Sequence, residues 1–229
     1  MKAFFITGTD TGVGKTVVAG LAGRFLSDKG YSVITQKWIQ TGSSVFPDDI
    51  GAHLRLMKKT KKSIKAYLPL VCPYTFKVSS SPHMASRIEK RKIDIKKIKN
   101  SFHLLSEQFD FVIVEGIGGG LVPLNEHKLV IDVARDLSLS VLLVASNRLG
   151  AINHTLLTVE AIKRRNMKIA GIIFNNSGGK HDKAVLEDNP KIVGRITGEK
   201  ILGVLPRVND RNKLYKAFVP IALNLFNLK

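Results

Sequence analysis

The sequence predicts an α/β fold, a mostly parallel twisted sheet with helices on both faces. Three observations predict it. Short apolar runs of strand length recur along the chain, helical patterns separate them, and glycines or polar residues stand where the runs stop. Ala3-Phe4-Phe5-Ile6-Thr7 ends at Gly8 and reads as a buried strand. A helix is expected over residues 15–29, closed by Gly30 just past its end. Residues 32–36 form a second strand. Asp48 and Asp49 stand where they would cap a helix running to about residue 58. Residues 65–82 carry several prolines and little periodicity, so they read mostly as loop. Helices are expected over residues 84–90 and 94–108. Residues 109–114 give a third strand, stopping at Glu115 and a glycine run. Strands at 141–145, 169–174 and 201–205 follow, with a helix over 150–166 between the first two. The end of the chain, 213–228, reads as a helix with a break or kink near Pro220.

Length and composition fit this plan. A chain of 229 residues suits one domain over residues 1–229. A chain of that size buries roughly 70% of its unfolded surface. One cysteine, Cys72, excludes an internal disulfide framework. No apolar run approaches the ~20 residues of a membrane span. The apolar start runs straight into the glycine loop, so it is a strand rather than a signal peptide. The expected compartment is the cytoplasm. The net charge of +18 has two readings, an anionic macromolecular partner or a lysine-rich solvated surface around a phosphate site. The lysine clusters at 58–62, 90–92 and 96–99 have no aromatic residues interleaved for base stacking. The expectation is therefore no nucleic-acid and no membrane partner.

Gly8-Thr9-Asp10-Thr11-Gly12-Val13-Gly14-Lys15-Thr16 follows a strand and opens a helix, the setting of a phosphate-binding loop. Its spacing is unusual, because five residues rather than four separate Gly8 from Gly14. Lys15 is placed to reach the β and γ phosphates and the Thr16 hydroxyl to ligate Mg²⁺. The fold is thus of the P-loop NTPase type, with ligands at the carboxyl ends of the strands.

Other strand ends carry polar residues, each with a plain alternative. Lys37 faces the crevice of Lys15 or is a solvated lysine. Asp48 and Asp49 read equally as helix caps or as a metal carboxylate. Glu115 takes a second Mg²⁺ position or ends a glycine-rich turn. Residues 149–154 open a helix whose N–H groups suit an anion or serve only the helix. Asn175 and Asn176 pair with an adenine edge or are turn residues.

The motifs Thr7–Thr16, Gln36-Lys37, Thr41-Gly42, Pro73-Tyr74-Thr75-Phe76, Ser81-Pro82-His83, Val114-Glu115-Gly116, Ile152-Asn153-His154 and Asn175 stand in the order found in one family. By them the sequence resembles the dethiobiotin synthetases over nearly its whole length, most weakly at residues 178–200 and in the tail. The resemblance implies closure of a ureido ring from 7,8-diaminononanoate, CO₂ (as bicarbonate) and ATP, through a carbamate and a carbamic–phosphoric anhydride. It implies that Lys15 and Lys37 are catalytic and that Lys37 and Thr41 touch the substrate. Thr16, Asp49 and Glu115 would arrange Mg²⁺, with Asp48 the alternative to Asp49. Gly12, Val13, Gly14, Lys15, Thr16 and Val17 would contact ATP, as would Glu115, Gly116, Ile117 and Gly118. Asn175, Asn176, Leu205, Pro206 and Arg207 would line the adenine pocket. It further implies a homodimer in which Gly150, Ala151, Ile152 and Asn153 of one subunit hold the substrate carboxylate of the other. Two positions depart from the family. Some members have Glu where this chain has Gly12, and some have Lys where it has Arg148.

Two rivals share the phosphate loop. Partition and division-site ATPases carry a lysine five residues before the phosphate lysine, where this chain has Asp10. Amidating synthetases need a glutamine-hydrolysing domain with a nucleophilic cysteine, for which the chain is too short.

Overall fold

The computed structural model describes residues 2–43, 45–176 and 182–227. Six parallel strands form the central sheet: β1 (Lys2–Gly8), β2 (Val33–Lys37), β5 (Phe111–Gly119), β8 (Ser140–Ser146), β9 (Ile169–Asn175) and β10 (Ile201–Leu205). Their order is β10-β9-β8-β1-β5-β2. Successive crossovers leave β1 in opposite directions, so a crevice opens at its carboxyl end. Two short pairs flank the sheet, β3 (Ile39–Gln40) with β4 (Tyr74–Thr75), and β6 (Pro123–Asn125) with β7 (Lys128–Leu129).

Side chains alternate across the sheet, and each face is buried by helices. Ile6, Ile113, Leu142 and Ile173 point to the face covered by α1 (Lys15–Asp28) and α9 (Arg211–Phe226). Phe5, Val112, Val114, Leu143 and Ile172 point to the other. That face is covered by α2 (Asp48–Leu56), α4 (Pro82–Ile88), α5 (Ile95–Gln108), α6 (Val130–Asp136), α7 (Ala151–Lys163) and α8 (Lys183–Thr197). A short α3 (Leu68–Val71) follows a 3₁₀ segment, Lys61–Tyr67.

The first helices meet closely. A Cβ at Gly20 of α1 would lie 2.7 Å from Leu56 Cδ1 and 3.2 Å from His53 Cα. One at Gly23 would lie 2.8 Å from Met57 Sδ. These two glycines form the groove in which α2 rests.

Several boundaries differ from the sequence reading. Neither Asp48 nor Asp49 caps α2; Pro47 is the cap residue, and both carboxylates lie in the first turn. Residues 65–71, at the start of the stretch expected as loop, are helical turns. The third strand runs on through its glycines to Gly119. α6, α8 and the β6–β7 pair were not expected. The last helix runs unbroken as one element from Arg211 to Phe226, with Pro220 inside it.

Candidate active site

Strand register assembles the centre of the site. Lys37 ends β2 and stands directly beside Glu115 of β5, which in turn pairs with Ile6 of β1. Gln36 and Trp38 flank Lys37 and are anchored elsewhere, Gln36 Nε2 donating to Leu70 O at 2.9 Å and Trp38 stacking on Phe5. Lys37 Nζ then donates to Asp49 Oδ2 at 2.7 Å, to Glu115 Oε1 at 2.9 Å and to Gly116 O at 2.8 Å. Burial alone would lower its pKa, but the two carboxylates outweigh that and raise it.

Glu115 is buried as deeply. Burial would raise its pKa, yet the Lys37 charge and the His53 and Lys37 hydrogen bonds bring it down to about 2. Its Oε1 also accepts from Thr16 Oγ1 at 2.9 Å, and that hydroxyl lies 3.3 Å from Asp49 Oδ1. Asp48 is exposed, one position from the aspartate that reaches the site.

The phosphate loop closes the other side. Gly12 and Gly14 have φ of +75° and +105°, the left-handed region that a Cβ disfavours. Lys15 Nζ donates to Asp10 O at 2.9 Å. Burial, and then the Lys37 charge, lower the Lys15 pKa to about 8. Asp10 itself is exposed and accepts from the Thr11 N–H at 2.7 Å.

Lys15, Thr16, Lys37, Thr41, Asp49, Glu115, Ile117 and Gly118 line one cavity of about 350 Å³, together with Gly12 and Gly14. A second, of about 310 Å³, shares Thr11, Thr41, Ser79, Ile117 and Gly118 with it and continues past Ser80, Ser81 and Pro82. Two anionic or phosphorylated groups therefore have room side by side. The donors fit Mg²⁺, because two carboxylates and a hydroxyl are hard oxygen ligands. Among the described residues no group of three or more His, Cys, Asp or Glu could hold a metal. An ion here would need phosphate oxygens and water to complete its shell.

The remaining expected residues lie around this centre. Val13 is buried, and Val17, in the first turn of α1, packs at the edge of the core. Asn175 Nδ2 donates to Val13 O at 2.8 Å, and a Cβ on Gly14 would collide with that same nitrogen. The Asn175 amide thus buttresses the phosphate loop from behind. Asn176 Oδ1 accepts from Asn147 Nδ2 at 2.9 Å, and the Asn176 N–H donates to Leu205 O. That stitches the ends of β8, β9 and β10 together beside Pro206 and Arg207. Gly150 precedes α7 with φ +83°. Ala151 and Arg148 line a small hollow against Gly12 and Val13. The Ala151 N–H already donates to Arg148 O at 3.1 Å, and Ile152 and Asn153 follow it in the first turn of α7.

Two residues at the site were not singled out from the sequence. Gln40 Oε1 accepts from the Asp49 N–H at 3.2 Å. His53 Nε2 lies 2.7 Å from Glu115 Oε2. Their signal was positional: Gln40 lies three residues after Lys37, in β3, and His53 falls one helical turn after Asp49. Cys72 is buried, and burial pushes its thiol up to about 11, so it is no nucleophile at neutral pH.

Comparison with known proteins supplies the lineage. A family model described as an AAA domain matches residues 2–213. The chain is 38% identical over 226 residues to the ATP-dependent dethiobiotin synthetase of Thermodesulfovibrio yellowstonii, covering 93% of this chain and 92% of that one. It is 43% identical over 171 residues to that of Chlorobaculum tepidum, with 74% and 71% covered. With a second such enzyme of Haemophilus influenzae it shares 40% over 176 residues, 76% and 91% covered. Among solved structures, the MinC:MinD cell division complex of Aquifex aeolicus superposes with a TM-score of 0.63 at 14% identity, covering 100% and 97%. MinD of Pyrococcus furiosus gives 0.60 at 17%, covering 100% and 99%. At such identities the likeness shows the P-loop NTPase fold alone. By sequence, the chain belongs to the ATP-dependent dethiobiotin synthetases, which are ligases.

Proposed function

We propose that the paired cavities close a cyclic urea on 7,8-diaminononanoate, consuming CO₂ and ATP and giving dethiobiotin, ADP and phosphate. The observation that carries this is the pair of buried ammonium groups, Lys15 and Lys37, which line one cavity at the carboxyl ends of β1, β2 and β5. The triphosphate lies along the loop, its phosphates on the backbone N–H groups of Gly12, Gly14, Lys15 and Thr16. Lys15 leaves the Asp10 carbonyl for the β and γ phosphates. One amine of the substrate captures CO₂ as a carbamate, which lies against Lys37 with Thr41 holding the diamine. A carbamate oxygen attacks the γ-phosphorus and ADP leaves. The second amine attacks the carbonyl carbon of the anhydride, and phosphate departs. The protein supplies position and positive charge, as phosphoryl transfer requires. Mg²⁺, held by Thr16, Asp49 and Glu115, would screen the phosphate oxygens.

The reading includes a cytoplasmic homodimer. Exposed Leu121 and Leu157 line an apolar groove of about 150 Å³ beside Gly8 and Thr9, a surface suited to a second copy. Gly150, Ala151, Ile152 and Asn153 of that copy would meet the substrate carboxylate. Asn175, Asn176, Leu205, Pro206 and Arg207 border the base. No helix among the described residues is long and apolar enough to cross a membrane.

The test is to incubate the protein with the diamine, ¹³C-bicarbonate, Mg²⁺ and ATP. Dethiobiotin should form carrying the heavy carbon in its ureido carbonyl. ADP release with the diamine left unconsumed would overturn the reading.

A further inference from the structure

His53 is fully buried and takes no part in the steps above. It leaves α2 one turn after Asp49, so both side chains project from the same face of that helix. Asp49 meets Lys37 and Thr16, while His53 reaches Glu115. The two oxygens of Glu115 are thereby divided. Oε1 faces Lys37 and Thr16 in the cavity, and Oε2 is taken by His53 Nε2 at 2.7 Å. A carboxylate paired with the Lys37 ammonium accepts, so the 2.7 Å contact is an N–H of Nε2 donated to Oε2.

The other ring nitrogen tells what the imidazole is for. Nδ1 is buried and, among the described residues, has no hydrogen-bond partner. An unsatisfied buried polar atom is unfavourable. A leucine among Ile50, Leu54 and their neighbours would avoid that cost. What a leucine would lose is the N–H on Oε2.

We infer that His53 is a positioning residue: its Nε2–H fixes the rotation of the Glu115 carboxylate, so that Oε1 stays turned toward Thr16 and Asp49, where a divalent cation would be held. The inference rests on the reading of Glu115 as a cation ligand proposed above. Outer partners of this kind orient the ligand itself, and removing one weakens cation binding about 10- to 100-fold.

The test separates the two ideas. Calorimetry gives the affinity for a non-hydrolysable ATP analogue with Mg²⁺ and with EDTA, and the ratio reports how far the cation tightens the nucleotide. In His53→Leu the ratio should fall about tenfold, the low end for loss of an outer partner, while the EDTA affinity holds. In His53→Gln, whose amide places an N–H near the position of Nε2, most of the ratio should return. The Mg²⁺ concentration for half-maximal turnover should rise in the same order, with kcat at saturating Mg²⁺ changing less. A folded His53→Leu protein with the wild-type ratio would overturn the inference, and so would a Gln variant no better than Leu. Glu115→Gln is measured alongside. A wild-type ratio there removes the cation role of Glu115 and the inference with it, whatever the His53 variants do. Should His53→Leu not fold, His53→Gln is compared with His53→Asn, whose shorter amide falls short of Glu115. Equal ratios in those two would overturn the inference.

Discussion

Lys37 is only 3% exposed, and a buried ammonium survives only with anionic partners. Its partners are the two carboxylates that also face the triphosphate site, so its removal should strike chemistry harder than binding. Lys37→Gln should leave the affinity for ATP within a few-fold, because the loop N–H groups and Lys15 remain. Its kcat should fall about 10²- to 10³-fold, the usual loss when one preorganised donor at a transition state is deleted. Titration calorimetry beside steady-state turnover checks both. A variant that loses ATP binding and turnover equally would make Lys37 a structural counter-ion. The sequence already showed Lys15, Thr16, Lys37 and Glu115 at strand ends, where chain order alone implies convergence. His53 was not legible, because a lone histidine on an amphipathic helix is indistinguishable from an ordinary core residue until its partner strand is known. Asn175 was legible by place and not by orientation: the sequence put it at a strand end, but only the packing of β9 against the loop shows its amide turned to Val13 O.

At the scale of elements, α1 and α2 are joined through missing side chains. Gly20→Ala would gain up to about 1 kcal/mol of helix propensity. It would also push a methyl against Leu56 and the backbone of His53, and such overpacking costs about 1–3 kcal/mol. The contact should win. Thermal melting should show a lower Tm, and the Mg²⁺ requirement should rise because α2 carries Asp49. A second element-level prediction concerns α6. Asp136 lies 2.9 Å from Lys99, 3.0 Å from Lys128 and 3.1 Å from Arg135. Burial is the largest single influence and opposes its charge, but the three cations together outweigh it and hold its pKa well below the ordinary value of 3.8. Such a group stabilises the fold at pH above the unfolded value, and the contribution is lost as pH falls toward the folded one. Asp136→Asn should therefore cost about 1 kcal/mol at pH 7, and the difference should shrink as the pH falls below about 4. Urea unfolding at neutral and acid pH measures it. Most strands were legible to within a residue or two because buried parallel strands are continuous apolar runs. α8 was hidden by Asn189-Pro190, a pair that ordinarily breaks a helix. Here Asn189 Nδ2 bonds Asn147 Oδ1 at 2.9 Å and Arg148 O at 3.1 Å, and tertiary anchoring overrides the local signal.

For the whole molecule, the high positive charge and the exposed leucines pull in different directions. Lysines keep most of the surface wet, and the groove of Leu121 and Leu157 is an apolar exception next to the phosphate loop. Leu157→Arg should convert a dimer to a monomer by light scattering. It should weaken diamine capture, seen as a raised KM for the diamine, much more than ATP binding. A wild-type protein that is monomeric at all concentrations would remove the shared-site part of the proposal. The fold class, the sheet direction and the site edge were all readable from the chain. The groove proposed here for self-association was not, because exposed leucines acquire meaning only when folding brings them together.

The contact between Asn175 and Gly14 carries one more consequence. Glycines in nucleotide loops are usually explained by the anion that must approach them. Here the amide of a distant strand already fills the space a methyl would need, before any guest arrives. A Gly14→Ala protein that fails to take up ATP would report a cradle that was never shaped, and its apo form should already differ from the parent in amide hydrogen exchange along residues 12–16.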